Sequence, residues 1–398
     1  MAKRLVLAYS GGLDTSVAIH WLTQRGYEVV ATTIDVGEAK DTSVLTQRAM
    51  AAGAVDVRVI DLKEEFAQGY LWPALQANAL YQGRYPLATA LARPLLAKAL
   101  CGVADETGAQ AIAHGSTGKG NDQVRFDVAI ATLRPGTEIV APAREWGLTR
   151  ADEIAYAAEF GIPVQATLDA PFSVDANLWG RSVEGGVLED PWNEPPEACY
   201  EWTANPDTAE VKEVTVAFES GLPVAIDGVT LGPVPLIAEA HAVAGAAGVG
   251  RIDLMEDRLV GIKSREIYEA PAAALLVAAH QELEFLTLPR ELLQHKAGIE
   301  QTFAQTVYNG LWFTPLREAL QAYVTSTQAA VTGEVRLRLA HGKVTVVGRK
   351  SPYSVYSHDL ATYDKGDLFD HTAAVGFIAL YGLQSQAYAQ AQKAQTHA

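Results

Sequence analysis

Arg4-Leu5-Val6-Leu7-Ala8-Tyr9-Ser10-Gly11-Gly12-Leu13-Asp14-Thr15-Ser16 is the stretch that decides the fold. A short apolar run ends in Ser-Gly-Gly, and Val17, Ile19 and Leu22 then recur at helical spacing. This reads as a buried strand, a tight turn and a helix, with Asp14 at the helix N-cap. Glycines let the backbone approach an anion closely, free N–H groups at the helix start favour it, and Thr15 and Ser16 add hydroxyl donors. The loop has no lysine and does not match GxxxxGK[ST], so it is not a Walker A site. A plain glycine turn with Asp14 as a structural cap is the alternative.

Outward from this loop, apolar runs at 29–36, 57–60, 109–113 and 139–141 alternate with helical stretches at 43–52 and after Pro94. That order predicts an α/β fold with a doubly wound parallel sheet, its ligands at the carboxyl ends of the strands. After Ile162-Pro163 the pattern changes. Residues 211–218 alternate, and 222–226 lead into Asp227-Gly228 as a hairpin. Helical stretches at 272–286, 300–312 and 316–330 follow, then a hairpin around His341-Gly342, which makes an α+β second domain. The end, 371–395, reads as one helix suited to packing on another subunit or on its own domain. The expected division is 1–165, 166–360 and 361–398.

Composition narrows the class. The chain has 398 residues and a formal charge of −16, which argues against nucleic acid as the main partner. Cys101 and Cys199 stand far apart and outside any CxxC pattern, so neither a disulfide framework nor a zinc ribbon is expected. The histidines show neither HExxH nor HxH spacing, and His114 reads as structural. The N-terminal apolar run is too short for a signal peptide and the run at 270–279 too short to cross a bilayer, which points to a cytoplasmic protein without a membrane partner.

A second loop, His114-Gly115-Ser116-Thr117-Gly118-Lys119-Gly120-Asn121-Asp122-Gln123-Val124-Arg125-Phe126, follows another predicted strand and crowds glycines, an Asn-Asp pair and two cations onto the ligand edge of the sheet. Ser-Gly-Gly-Leu-Asp-Thr-Ser resembles the pyrophosphate loop of ATP pyrophosphatases, and the second loop is similar to the argininosuccinate synthase signature. Further strings agree in order: Arg84-Tyr85-Pro86-Leu87 through Arg93-Pro94, Ser173-Val174-Asp175 through Arg181-Ser182, and Gly248-Val249-Gly250-Arg251 through Glu256-Asp257-Arg258 to Tyr268-Glu269. The resemblance runs from residue 5 to about 349.

That resemblance implies ATP-dependent ligation of L-citrulline to L-aspartate through a citrullyl adenylate, releasing AMP and pyrophosphate, in a homotetramer with Mg²⁺ accompanying ATP. Carried over by position, ATP contacts Ala8, Tyr9, Ser10, Gly11, Gly12, Leu13, Asp14, Thr15 and Ser16, with Ile34 near the adenine and Gly115 on the second loop. Aspartate is held by Thr117, Asn121 and Asp122. Citrulline is held by Tyr85, Thr89, Asn121, Arg125, Ser173, Ser182, Glu256 and Tyr268. Thr89 is taken as the hydroxyl because Ala90 stands where some members carry serine, and Gln82 replaces a usual glutamate. Residue type gives Lys119 and Arg125 the stabilisation of anionic oxygens, and Asp122 either orients the aspartate amine or accepts its proton. Competing readings are another adenylating pyrophosphatase, such as a transfer-RNA modifying enzyme or an amide synthetase, and an ATP-binding sensor without turnover.

Overall fold

The computed structural model describes residues 3–38, 41–164, 172–364 and 366–396, which form two compact units dividing between Tyr353 and Ser354. The first opens with β1 (Lys3–Ala8), α1 (Leu13–Thr23), β2 (Tyr27–Asp35), α2 (Thr42–Ala51) and β3 (Asp56–Asp61). Short helices α3 (Lys63–Phe66) and α4 (Trp72–Gln76) lead to the long α5 (Ala88–Thr107), β4 (Ala111–Ala113) and α6 (Asp122–Leu133). Then come β5 (Glu138–Val140), α7 (Pro142–Glu145) and α8 (Arg150–Glu159).

The five strands form one parallel sheet in the order β3-β2-β1-β4-β5. On β1, Leu5 and Leu7 join one core cluster and Val6 the other, so both faces are covered, which is why these strands read as continuous apolar runs. The chain leaves β1 in one direction and β4 in the other. The loops after these two neighbouring strands therefore meet at the carboxyl edge, at the topological switch point.

The rest of the unit is β6 (Ser173–Asn177), β7 (Gly180–Glu184), β8 (Lys212–Glu219), β9 (Leu222–Ile226), β10 (Val229–Thr230), α9 (Pro233–Ala246), β11 (Arg251–Asp257) and β12 (Lys263–Glu269), then α10 (Pro271–Thr287), α11 (Arg290–Tyr308), α12 (Pro315–Thr327), β13 (Gly333–Ala340) and β14 (Lys343–Lys350). They build two antiparallel sheets, β10-β9-β8-β13-β14 and β11-β12-β7-β6. The second of these carries Ser173, Ser182, Glu256 and Tyr268.

Gly250, just ahead of β11, has φ +105°, and a Cβ there would sit 2.5 Å from the Pro271 backbone nitrogen. Gly250→Ala combines backbone strain with a clash against main chain that has no rotamer to yield. The expected loss is about 2 kcal/mol or more, read as a fall in thermal unfolding temperature. An unchanged transition would show that the β11 entry relaxes freely.

Three expectations need correction. Gly12 is the N-cap of α1, without a side-chain cap bond, and Asp14 lies inside the first turn, so it is not the cap. The helix expected after Pro94 begins at Ala88 and contains Pro94. One amide is missing there, but Leu91, Ala92 and Leu95 are fully buried around it, and packing outweighs the lost bond. The terminal helix is two, α14 (His371–Tyr381) and α15 (Leu383–Thr396), broken at Gly382, a residue type that holds a helix poorly. With α13 (His358–Ala361) these make the second unit, none of whose described residues is buried. The sheet β11-β12-β7-β6 and the apolar α9 were not anticipated. The expected boundary at 165/166 lies outside the described residues.

Candidate active site

The phosphate-type loop leaves β1 at Tyr9. Gly11 takes φ +78°, and a Cβ on it would fall 2.0 Å from Leu45 Cδ2, so α2 packs directly onto the turn. Ser10 Oγ accepts from the Gly12 amide at 3.3 Å and pairs with the Thr15 hydroxyl at 3.1 Å. The first-turn amides of α1 remain free of side-chain caps, which leaves donors for an anion. Ser16 is fully buried beneath the loop against the Tyr9 hydroxyl. Asp14 faces Glu153 of α8, whose carboxyl is pushed up to about 8 by burial and by the Asp14 charge.

The second loop lies against the first: a Cβ on Gly115 would meet Thr15 Cγ2 at 2.9 Å. His114 is buried, donates from Nε2 to Asp127 at 2.7 Å and accepts the Ser116 amide on Nδ1, which is the structural role expected of it. Gln123 ties the loop by donating to the Gly118 and Gly120 carbonyls.

Between loop and antiparallel sheet runs a chain of ion pairs. Arg93 donates to Asp122 at 2.8 Å and to Asp175 at 2.6 Å, Arg125 donates to the other Asp122 oxygen at 2.9 Å, and Thr89 donates to Asp175 at 3.1 Å. Burial alone would raise the Asp122 pKa, but the two guanidiniums overcome it and hold the carboxyl below its usual range. Arg125 is buried, and its Nη2 has no hydrogen-bond partner.

Glu256 anchors the far end. It accepts from Tyr268, from Tyr308 at 2.5 Å and from the Asn121 amide at 3.3 Å, and Asn121 in turn accepts the Leu259 amide. Tyr85 stacks on Tyr268 with ring centroids 4.1 Å apart, and burial raises both phenol pKa values. Arg258 binds Glu184 and Glu266 and donates to the Lys119 carbonyl, closing the β11–β12 turn over the second loop.

Residues of both loops together with Tyr85, Arg93, Asp175, Glu256, Arg258 and Tyr268 line one cavity of about 1020 Å³. Of the residues assigned from sequence, all line it except Ser16, which supports the loop from below, and Lys119, whose side chain is exposed and which contributes only its carbonyl to the site. Ala90 points into the core while neighbouring Thr89 reaches the cavity. Gln82 lies outside it, donating to Asp257 at 3.2 Å. Sequence reasoning assigned no role to Arg93, Asp175, Arg258 or Tyr308. The first three stand inside strings that carried the resemblance, whereas Tyr308 gave no signal beyond a helical apolar pattern.

Two family descriptions match the chain, "Arginosuccinate synthase N-terminal HUP domain" over residues 4–163 and "Arginosuccinate synthase C-terminal domain" over residues 172–388. Argininosuccinate synthases of Dehalococcoides mccartyi and Symbiobacterium thermophilum are each 56% identical to it, over 98% of this chain and 97% and 98% of theirs. That of Bacillus subtilis is also 56% identical, over 96% of each. A lysine-free phosphate loop, a second loop locked to it, an acidic anchor across a shared cavity and this identity over nearly the full length agree: the chain belongs to the argininosuccinate synthase family.

Proposed function

We propose that the protein ligates citrulline to aspartate in two steps, in one cavity. The ureido oxygen of citrulline attacks the α-phosphorus of ATP, the bond to the β-phosphate oxygen breaks, and pyrophosphate leaves. The aspartate amine then attacks the ureido carbon, AMP departs with the C–O bond electrons, and argininosuccinate remains. A ureido group is a weak electrophile with a poor leaving group, and the adenylate removes that obstacle. The observation that carries this reading is the continuity of the cavity from the Ser10–Thr15 loop, past Asp122, to Glu256 and Tyr268.

In this assignment Glu256 receives the citrulline ammonium, and Tyr85, Ser173 and Ser182 lie along its carboxylate. Thr117, Asn121 and Asp122 hold aspartate. Asp122 has both oxygens taken by arginines and a lowered pKa, so it orients the amine as a fixed anion; a base would need a higher affinity for protons. Arg125, with a free buried Nη2, takes an anionic oxygen. Mg²⁺ would arrive on the ATP phosphates and neutralise their charge; among the described residues no cluster of three metal-ligating side chains stands ready to hold it.

The division at 165/166 and 360/361 remains our proposal, as does a homotetramer. Leu380 at 72% exposure and Tyr381 at 80%, on a unit without buried residues, support burial of the terminal helices by other copies of the chain. A cytoplasmic site of action belongs to the same proposal; separately, no helix among the described residues is long and apolar enough to cross a membrane.

Pyrophosphate release from Mg-ATP with citrulline alone, aspartate alone and both tests the reading. Sustained release requiring both, with AMP in equal amount, is expected. Protein that binds ATP yet releases nothing under any condition would leave it a sensor.

A further inference from the structure

The phosphate loop raises a question that its own residues do not answer. Expelling pyrophosphate leaves the bonding electron pair on the departing oxygen, yet residues 8–16 contain no cation. Five arginines line the cavity: Arg48, Arg93, Arg125, Arg150 and Arg258. Three are committed, Arg93 to Asp122 and Asp175, Arg125 to Asp122, and Arg258 to Glu184 and Glu266. Arg48 and Arg150 make no ion pair among the described residues.

Both stand on helices fastened to the loop. Leu45 of α2 occupies the space that a side chain on Gly11 would fill, and Arg48 follows Leu45 by three residues, on the same helix face. Arg48 also lies near enough to Tyr9, the first loop residue, to lower its pKa against the larger rise from burial. On the other flank Glu153 of α8 faces Asp14, and Arg150 precedes Glu153 by three residues, close enough for its charge to oppose the rise in the Glu153 pKa without forming an ion pair among the described residues. Three of the nearby carboxylates have other partners: Asp41 accepts the Ser43 and Val44 amides at the start of α2, Asp35 pairs with Lys63, and Asp14 meets Glu153.

We propose that Arg48 and Arg150 form a cationic clamp, one from each side of the loop, for the pyrophosphate portion of ATP and for the pyrophosphate that leaves. The loop amides and hydroxyls shape the anion and the clamp supplies the charge, a division of labour that replaces the single lysine of a Walker loop. The clamp rests on the adenylation reading and deepens it.

The test is citrulline-dependent exchange of labelled pyrophosphate into ATP by Arg48→Gln, Arg150→Gln, the double variant and the two lysine variants. Loss of one charge-assisted contact predicts about a tenfold rise in the ATP KM and in the pyrophosphate inhibition constant for each single variant, and about a hundredfold for the double variant. The citrulline KM stays at its native value, and lysine restores most of the loss. A folded double variant with native pyrophosphate inhibition would overturn the clamp. Arg150 is exposed, so Arg150→Gln decides the matter alone if Arg48 variants fail to fold. Native protein that shows no citrulline-dependent exchange would overturn the adenylation reading beneath it.

Discussion

Glu256→Gln is expected to lower kcat/KM for citrulline by about two to three orders of magnitude, with a far smaller change in the ATP KM. Glu256 is buried and takes three donors, Tyr268, Tyr308 and Asn121. An amide keeps the shape but offers one accepting oxygen in place of two. It also turns an N–H₂ group toward donors, so at least one buried donor loses its partner. An unmet buried donor lowers stability by about 1–3 kcal/mol, and loss of a charged partner for the incoming ammonium costs about 3–4 kcal/mol of binding, within the range of about 2–5 kcal/mol usual for such pairs. The split between substrates is the discriminating readout. Steady-state kinetics with each substrate varied in turn would show it, and an equal rise in all three KM values would assign Glu256 to the fold instead of the ligand.

Arg93→Met has the second large effect, and it shows in both stability and pH dependence. Removing Arg93 strips one partner from Asp122 and one from Asp175 at once. Breaking these half-buried pairs from one side costs about 1–3 kcal/mol, expected as a drop of a few degrees in unfolding temperature. In the native protein the Asp122 pKa is lowered, so the stability it contributes is complete above the ordinary carboxylate value and is lost as pH falls through the lower folded value. Without Arg93, burial gains ground against Arg125 alone and the Asp122 pKa moves up. The acid limb of kcat/KM for aspartate should therefore shift to higher pH, together with about a hundredfold loss near neutrality, the kinetic equivalent of about 2.7 kcal/mol. Arg93→Lys keeps one of the two contacts and should recover part of each effect. A melting-temperature drop with an unmoved acid limb would make Arg93 a structural brace only.

The parallel sheet was legible because its physics is local. Continuous apolar runs such as Leu5-Val6-Leu7, separated by helical spacing, arise wherever a strand is covered on both faces. The two ligand loops were legible for the same reason, since Gly11 and Gly115 mark places where a side chain would collide with a neighbouring element. The sheet of β11, β12, β7 and β6 was not. Its strands are rich in charged residues, Arg265 and Glu266 in the run Lys-Ser-Arg-Glu-Ile-Tyr-Glu for example, because one face forms the wall of a polar cavity. Alternation of apolar and polar residues is lost where both sides have work to do. Arg93 went unassigned because its meaning is a pairing across 29 and 82 residues of chain, which no local pattern encodes. The Gly382 break illustrates the opposite error, a helical pattern read through the one residue that interrupts it.

The Arg125 guanidinium is satisfied on Nε by the Tyr308 carbonyl and on Nη1 by Asp122, while Nη2 is buried without a partner among the described residues. A buried guanidinium nitrogen without a partner carries a cost of about 1–3 kcal/mol, which a ligand oxygen reaching Nη2 would recover on binding. Such a ligand would also hold the fold together, and its binding would raise the unfolding temperature.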